Sequence, residues 1–319
     1  MAWITVVSLA AVAVLRIFYH DGAYVLIWLN AFTRYVYLPA YVCLAWAVWQ
    51  RRWSLTAVAT CVITAHLTFL TPDFLPDRRF DVAINSQGES VSNRASPVVR
   101  IFFANVMTHN TEHHALLREI ARADPDIIVL VEYGWGWHLA FKSAPVMKPY
   151  LYGTGHEQRY IGSVNVFSRL PLTSESHDWI NGRAMHTINV HLGAQTLRII
   201  GIHAPRPIDK PQYDYERYWK LMIPRLTAPQ GPLVVVGDFN ATQYSAPYAR
   251  LKSLNLRSAH DDRGRGYATT WPNGKRWLPP IRIDQVFLSP EVECERIVEG
   301  IGKGSDHKPL IVDVRIGGS

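Results

Sequence analysis

Cysteine is scarce in this chain, which contains only Cys43, Cys61 and Cys294 among its 319 residues. Three cysteines exclude a fold stapled by a disulfide framework, and no Cys/His cluster has the spacing of a zinc site. Glycine and proline number 20 each, which excludes collagen-like and disordered low-complexity chains. The sequence therefore predicts a folded protein of one large domain or two smaller ones.

Charged residues are also scarce, but only in the first quarter of the chain. Residues 1–72 carry a single acid, Asp21, and four arginines, whereas the remainder carries 29 basic and 25 acidic groups. The whole chain has a net charge of +7. This mild basic bias suits an anionic ligand, but no long stripe of Lys and Arg indicates a nucleic-acid surface.

Three apolar runs fill the region that lacks charge, at residues 2–19, 23–49 and 53–71. A helix of about 20 residues spans the roughly 30 Å hydrocarbon core of a bilayer. Residues 1–72 therefore predict a transmembrane region of about three helices. Asn30, Arg34 and Pro39 interrupt the second run, so either two or three spans are allowed. No basic segment precedes the first run and no small-residue cleavage site follows it, so a removable signal peptide is not expected.

The orientation of this region depends on one short basic turn. Arg51 and Arg52 join the second and third apolar runs, and the positive-inside rule puts such a turn in the cytoplasm. We therefore expect an integral protein of the cytoplasmic membrane, with everything after residue 72 on the extracytoplasmic side. Residues 73–97 lack periodicity and contain Pro, Gly, Ser and Asn, which predicts a linker.

Residues 98–319 have the mixed pattern of one α/β domain. Short β-branched runs predict strands at 98–104, 127–131, 161–167, 197–202, 233–236, 283–288 and 310–314. Helical stretches between some of these strands lie at 111–123, 211–225 and 245–253. The mixture indicates layers of helix and sheet, with both parallel and antiparallel strands in the sheets.

Polar side chains recur where these predicted strands end. They are Asn105, Glu132, His203, Asp238, Asn240, Asp284, Asp306 and His307. Strand ends and their loops are where a rigid sheet commonly holds binding and catalytic residues. Singly, each residue has an ordinary structural explanation, such as a turn-forming Asn105 or a solvated Glu132. Together they indicate a functional site.

The segments around these residues appear in the order of a known family. They are Asn105 after a strand, Glu132 after D-P-D-I-I-V-L-V, G-I-H-A around His203, G-D-F-N at 237–240, R-I-D at 282–284 and G-S-D-H-K-P at 304–309. Over essentially all of 98–319 the chain resembles the endonuclease/exonuclease/phosphatase superfamily, in the style of its bacterial membrane-anchored members. That superfamily includes deoxyribonuclease-I-like nucleases, inositol polyphosphate phosphatases and neutral sphingomyelinases.

The resemblance implies a particular fold for the domain. We expect a four-layer α/β sandwich in which two mixed β-sheets pack face to face, with helices outside. The site would lie at one rim, where the loops that carry the motifs meet. One departure is Val131, because many members have Gln before the Glu.

The resemblance also implies a divalent metal ion, Mg²⁺ with Mn²⁺ as the alternative. Hydrolysis of a phosphate ester needs neutralised phosphoryl charge, an aligned water and a stabilised leaving oxygen. Mg²⁺ prefers oxygen ligands and is often held by one or two carboxylates. Glu132 is the best candidate ligand, assisted by the amide oxygen of Asn105 and by Asp306.

The other predicted site residues would carry out proton transfer and phosphate binding. Asp238 is the general base that the resemblance implies. Asn240 follows after one residue, so in an extended segment both side chains point the same way and Asn240 can donate to a phosphoryl oxygen. His307 would contact the phosphate, with Asp284 bonded to its other ring nitrogen. His203 would make a second contact, with the phosphate or the leaving group.

The favoured function is a membrane-anchored, divalent-metal-dependent phosphoesterase that uses an activated water. The alternatives are a metal-dependent nuclease and a catalytically silent membrane scaffold that keeps the fold. The substrate class stays open among lipid headgroups, nucleic acids and other anionic esters, with Arg206 and Asn110 as candidate substrate contacts. Beyond the substrate and the membrane, the sequence indicates no protein partner.

Overall fold

The computed structural model describes residues 1–75, 97–154, 163–207, 212–226, 231–274 and 277–317. The N-terminal segment forms five helices, which are α1 Ala2–Tyr19, α2 Tyr24–Ala31, α3 Thr33–Val36, α4 Leu38–Trp49 and α5 Trp53–Phe74. Small and aliphatic side chains, among them Val6, Ala40 and Ala59, pack α1, α4 and α5 into one bundle. Most of the predicted linker, residues 76–96, lies outside the described residues.

Two of the described helices, α1 with 18 residues and α5 with 22, have the length and apolar composition of a membrane span. The second apolar run does not form one helix, because it divides into α2, α3 and α4. Pro39 lies in the first turn of α4, where its missing N–H costs no helical hydrogen bond. The 12 residues of α4 rise about 18 Å, which is short of a hydrocarbon core. The number of spans stays a prediction.

The remaining described residues form two six-stranded sheets with helices on their outer faces. The strands are β1 Val98–Asn105, β2 Ile127–Val131, β3 Tyr152–Thr154, β4 Val164–Ser168, β5 Leu172–Ile180, β6 Arg183–Leu192, β7 Gln195–His203, β8 Leu233–Asp238, β9 Arg257–Ser258, β10 Asp284–Leu288, β11 Val292–Glu299 and β12 Leu310–Ile316. The helices are α6 His113–Ala123, α7 Trp135–Ser143, α8 Gln212–Leu226, α9 Ala246–Ser253 and α10 Ala259–Asp262.

Both sheets are mixed. The first has the strand order β11-β12-β1-β2-β4-β3, and the second has the order β5-β6-β7-β8-β10-β9. The pairs β1–β2 and β7–β8 are parallel, and the other named pairs are antiparallel. The predicted mixed sheets are therefore confirmed.

Alternation along the strands builds the four layers. In β1, Ile101 and Phe103 lie in the core between the two sheets, whereas Phe102 and Ala104 pack outward against α6 and α7. This follows from the two-residue period of a strand, whose successive side chains point to opposite faces. In the second sheet, Val235 of β8 faces outward into a cluster with residues of α8 and α9. The predicted four-layer sandwich is confirmed.

Strand register carries the predicted polar residues to neighbouring positions. Asn105 of β1 pairs with Val131 of β2, so Glu132 follows directly beside it. In the second sheet, Asp238 of β8 pairs with His203 of β7 on one side and with Asp284 of β10 on the other. The strand ends of both sheets thus deliver their polar side chains to one rim.

The helical segment packs directly on the sandwich through the buried side chain of Arg34 in α3. Arg34, the charged residue that interrupts the second apolar run, donates from Nε to Asp73 Oδ2 at 3.0 Å and to Tyr244 Oη at 2.8 Å. Its guanidinium also donates to the carbonyl oxygen of Gly266. A buried charge requires such partners, and these partners lie where α5 ends against the domain. Arg34 therefore joins the helices to the sandwich.

Candidate active site

The converging strand ends surround a cleft of about 300 Å³. Five of the eight residues predicted at strand ends line it, namely Glu132, Asp238, Asn240, Asp306 and His307. Asn105, His203 and Asp284 are buried directly behind them. All eight residues that the sequence singled out at strand ends therefore lie in one constellation.

Asn105 links the two sheets at the base of the cleft. Its Nδ2 donates to Glu132 Oε1 at 3.0 Å and to Asp238 Oδ2 at 3.1 Å. Its Oδ1 accepts the backbone N–H of Met107 at 3.1 Å, which fixes the amide so that its nitrogen faces the two carboxylates. An amide oxygen has two lone pairs, so the predicted role of Asn105 as a metal ligand would use the second.

Glu132 occupies a backbone conformation that is unusual for a residue with a side chain. Its φ is +58°, in the left-handed region, which costs on the order of 1 kcal/mol for a residue other than glycine. The surrounding structure holds it there, because Thr108 donates its hydroxyl to the carbonyl oxygen of Glu132 at 2.9 Å. The turn directs Glu132 into the cleft, where its side chain is 24% exposed.

His307 lies between two buried carboxylates. Its Nδ1 donates to Asp284 Oδ2 at 2.9 Å, and its Nε2 lies 3.8 Å from Asp238 Oδ2. Burial alone would lower the pKa of His307, but the charges of Asp284 and Asp238 outweigh it and raise the pKa to about 10. His307 is therefore a cationic imidazolium at neutral pH, with the side chain turned to the cleft.

Asp238 lies at the centre of these contacts. Burial raises the pKa of its carboxyl group, while the charge of His307 acts in the opposite direction. A carboxylate with a raised pKa is a stronger base than an exposed one, which suits proton removal from water. Asp238 also belongs to the group of three potential metal-binding side chains, with Asp284 and His307, whose ligand atoms lie within 4.8 Å of one another.

The segment from Asp238 to Asn240 is a turn, and the expectation of an extended segment was wrong there. β8 ends at Asp238, and Asn240 has a φ of +47°. Asp238 Oδ1 accepts the backbone N–H of Asn240 at 3.0 Å, so the aspartate caps its own turn. Asn240 Nδ2 donates one N–H to the carbonyl oxygen of Ala204 at 2.9 Å. Its other N–H suits the predicted contact with a phosphoryl oxygen.

His203 reaches both sheets from beneath the cleft. Its Nε2 lies 3.7 Å from Glu132 Oε1 and 3.7 Å from Asp238 Oδ2. This position puts the imidazole of His203 beside both carboxylates. Its predicted contact with the phosphate or the leaving group stays a prediction.

Three residues contribute to the site beyond the roles that the sequence indicated for them. Ser305 Oγ donates to the carbonyl oxygen of Asn105 at 2.8 Å and accepts the N–H of His307 at 3.1 Å, which ties the loop before β12 to β1. Thr270 Oγ1 accepts the N–H of Asp284 at 3.1 Å. Trp271 lines the cleft and donates from Nε1 to Asp306 Oδ2 at 3.2 Å.

The signal for two of these was present in the sequence. Thr270-Trp271 precedes the R-I-D segment, and a polar hydroxyl beside an indole near an acidic motif favours a polar role. Both side chains hold acidic residues in position.

The two candidate substrate contacts have different positions. Arg206 lines the cleft. Asn110 is buried and does not line the cleft in the described part of the chain, since its Nδ2 donates to the carbonyl oxygen of Lys303 at 3.3 Å and its Oδ1 accepts the N–H of Glu112 at 2.8 Å. Asn110 thus supports the loop that carries Asp306 and His307, and its predicted substrate contact stays a prediction.

The donor set of the constellation fits a hard divalent cation. Four carboxylates, those of Glu132, Asp238, Asp284 and Asp306, face the cationic His307 and the ring of His203. The second oxygen of Asp284, Oδ1, is buried and has no hydrogen-bond partner among the described residues. Such an excess of negative oxygen donors favours a hard divalent cation over metals that prefer nitrogen and sulfur ligands.

The sequence matches the Endonuclease/Exonuclease/phosphatase family over residues 107–307, well over half of the chain. The chain belongs to this family, which confirms the resemblance drawn from its motifs. A search of curated proteins finds no match.

Solved structures of the same fold cover the domain. An endonuclease/exonuclease/phosphatase from Beutenbergia cavernae is 17% identical, covers 69% of this chain and 72% of its own, and has a TM-score of 0.53. D. rerio TDP2 complexed with single strand DNA product is 17% identical, covers 68% and 98% respectively, and has a TM-score of 0.55. A Bacteroides vulgatus member is 15% identical, covers 69% and 99%, and has a TM-score of 0.52. The domain therefore has the fold of phosphoester hydrolases.

Proposed function

We propose that this protein is a membrane-anchored, divalent-metal-dependent phosphoesterase that hydrolyses its substrate with an activated water. The observation that carries the proposal is the position of Asp238, a buried carboxylate with a raised pKa, between Asn105 and His307 in a cleft that Glu132 also lines. This combination supplies a base, a cation and a carboxylate ligand within one small volume.

The residues divide the reaction between them. Asp238 accepts a proton from the attacking water as the water oxygen bonds to phosphorus. The imidazolium of His307 and the free N–H of Asn240 stabilise the phosphoryl oxygens as negative charge develops on them. The P–O ester bond then breaks, and the leaving oxygen takes up one proton from solvent. Asp238 releases to solvent the proton that it accepted from the attacking water, so no net proton is gained or lost in this exchange.

Glu132, Asp306 and the amide oxygen of Asn105 are the residues that would hold the metal ion. When bound, Mg²⁺ would neutralise phosphoryl charge and stabilise the leaving oxygen. Trp271 and Asn105 support this role, because each hydrogen-bonds one of the two carboxylates and so fixes its orientation.

Membrane anchoring is supported by α1 and α5, and the orientation by the basic turn at Arg51 and Arg52 between α4 and α5. This turn lies at the far end of α5 from Phe74, the end that contacts the domain. The catalytic domain would therefore lie on the extracytoplasmic side. Reporter fusions at residues 51 and 317 test the orientation, since an extracytoplasmic reporter should be active only at residue 317.

A nuclease is the second candidate function. It is favoured by the similarity of the domain to D. rerio TDP2, whose structure was determined with a single strand DNA product. Hydrolysis of an oligonucleotide in preference to small phosphodiesters would support it. A catalytically silent scaffold, the third hypothesis, is disfavoured because all eight site residues are present and in contact.

The direct test is hydrolysis of an aryl phosphodiester by the purified full-length protein and its Asp238→Asn variant. We expect the variant to lose about 10²–10⁴-fold in kcat, because the amide cannot accept the proton of the water. Asp313→Asn is the matched control, since Asp313 is a buried carboxylate that pairs with Arg100 outside the cleft. Equal rates for wild type and Asp238→Asn would overturn the proposal.

A further inference from the structure

One wall of the active-site cleft comes from the N-terminal helical segment. Ile27, Trp28 and Ala31 of α2 line the cleft together with the site residues. Their spacing puts them on one face of the helix. Ile27 is buried in the same cluster as Tyr215 of the sandwich, and Trp28 is half-buried and stacks on Phe32 with ring centroids 6.1 Å apart. The cleft therefore has a charged floor and an apolar wall.

Hydrogen bonds fix α2 in this position. The buried side chain of Asn30 donates to Asp21 Oδ1 at 2.7 Å and accepts from Arg16 at 3.0 Å. The other oxygen of Asp21 accepts the N–H of Ala246, the first residue of α9. A carboxylate at a helix N-terminus is a favourable arrangement, so α2 is attached to the catalytic domain at a defined place. The wall is part of the site rather than a neighbouring surface.

We propose that the cleft binds the phosphate ester of a membrane lipid, with the apolar part of the lipid against Trp28 and Ala31 of α2. The proposal rests on the hydrolytic function proposed above. Its motivation is that the wall belongs to the segment that contains both candidate membrane spans, α1 directly before α2 and α5 beyond it. A lipid phosphate held in this cleft would be presented from the bilayer surface.

The composition of the cleft favours a lipid over a nucleic acid. Among the described residues that line it, Arg206 is the one arginine and there is no lysine, whereas grooves for single-stranded nucleic acid follow the backbone with several basic side chains. Ile281 and Ile283 add further apolar surface to the lining of the cleft. An aliphatic chain gains free energy on such a surface for each methylene buried.

The test uses three p-nitrophenyl phosphodiesters that share one scissile bond and carry an ethyl, a dodecyl or a thymidine-5′ group. The full-length protein is assayed at one fixed detergent concentration with each probe. We expect kcat/KM for the dodecyl ester to exceed that for the ethyl ester by at least about tenfold. Trp28→Ala should reduce this dodecyl-to-ethyl ratio about tenfold. Ala31→Gln puts a polar side chain on the wall without removing a large one, and it should also reduce the ratio.

Tyr24→Ala is the matched control, because Tyr24 is an exposed aromatic residue of α2 that does not line the cleft in the described structure. It should leave the ratio unchanged. A dodecyl-to-ethyl ratio near one, or a ratio that neither cleft variant alters, would overturn the lipid proposal, as would a Trp28-dependent preference for the thymidine ester. If the wild-type protein hydrolysed none of the three probes, or if Asp238→Asn hydrolysed them as fast as the wild type, the result would instead contradict the hydrolytic function.

Discussion

At the scale of single residues, the site depends on how the carboxylates of Asp238 and Asp284 are held close together despite their like charge. Asp238 and Asp284 lie directly opposite each other on antiparallel strands, where like charges repel. His307 lies between them and is cationic because of both. We therefore interpret Asp284 as a positioning residue, since it holds and charges the imidazole that faces the cleft.

Replacement of Asp284 by Asn should reduce kcat about 10²–10⁴-fold while KM changes little. The reason is that the neutral amide cannot sustain the imidazolium of His307 or hold its ring by a charge-assisted bond. Steady-state kinetics on an aryl phosphodiester measure the effect, with Asp313→Asn as the control for loss of a buried carboxylate. An Asp284→Asn enzyme whose kcat is within twofold of wild type would show that the pair is only structural.

Sequence motifs were sufficient to predict which polar residues the fold brings together at one rim, because each of them lies at the end of an apolar strand. The motifs were not sufficient to predict the backbone conformation at these residues. The left-handed backbone of Glu132 and the turn at Asn240 depend on hydrogen bonds to residues that are remote or that leave no periodic signal. The role of Trp271 depends on Asp306, 35 residues away.

At the scale of helices and strands, the sequence predicted the buried strands and missed the polar ones. β5 and β6 form a hairpin whose strands contain His, Ser, Asp and Arg, so no apolar run marks them. The sequence does contain a signal for the turn of this hairpin, because Asn181-Gly182 is a strong hairpin signal. In the structure both residues have positive φ, as such a turn requires. The helix α7 was also missed, because no helical stretch was predicted between residues 123 and 211.

The packing of α10 on β11 gives the fold a defined response to acid. His260 of α10 is buried against Glu299 of β11, with His260 Nε2 3.2 Å from Glu299 Oε1. Burial and the charge of Arg282 lower the pKa of His260 to about 4. Burial acts to raise the pKa of Glu299, but His260 and Arg265 outweigh it and lower the pKa to about 2.

Stability should therefore fall as the pH decreases from about 6.5 to about 4. Over that range the unfolded chain protonates its histidine, with an ordinary pKa near 6.5, while folded His260 stays neutral, and the loss reaches about 3 kcal/mol. The depressed pKa of Glu299 adds a further loss only below about pH 4.3.

Thermal unfolding of the full-length protein in detergent between pH 7 and pH 4 measures this response. The His260→Gln variant should lose most of the dependence between pH 6.5 and 4. His191→Gln, at an exposed position, should retain it. A pH response that is the same in wild type and His260→Gln would contradict the assignment.

At the scale of the whole molecule, the helices and the sandwich form one unit. Arg34 reaches Tyr244, which is 210 residues away in sequence, and Tyr35 donates its hydroxyl to the carbonyl oxygen of Pro280 at 2.7 Å. The sequence predicted an anchor and a separate domain joined by a linker, because contacts this distant leave no trace in local patterning. Arg34 appeared there only as a charge inside an apolar run, and its partners could be identified only in three dimensions.

The helical segment also forms part of the cleft. A helical segment that merely tethered the domain would make no contribution to the cleft. Here α2 forms part of the cleft wall. Arg34, three residues after the end of α2, pairs with Asp73 of α5 where the helices meet the sandwich. Loss of the helical segment should therefore affect the site as well as the location of the protein.

The central claim is that the carboxylates of the cleft act with a divalent cation, and the rate of phosphodiester hydrolysis as a function of free Mg²⁺ tests it most directly. The full-length protein should be inactive in EDTA, recover with added Mg²⁺ and reach saturation. Glu132→Gln should require at least about tenfold more Mg²⁺ for half-maximal activity. An enzyme that keeps its full rate in EDTA, or a Glu132→Gln variant with the wild-type Mg²⁺ requirement, would contradict the account.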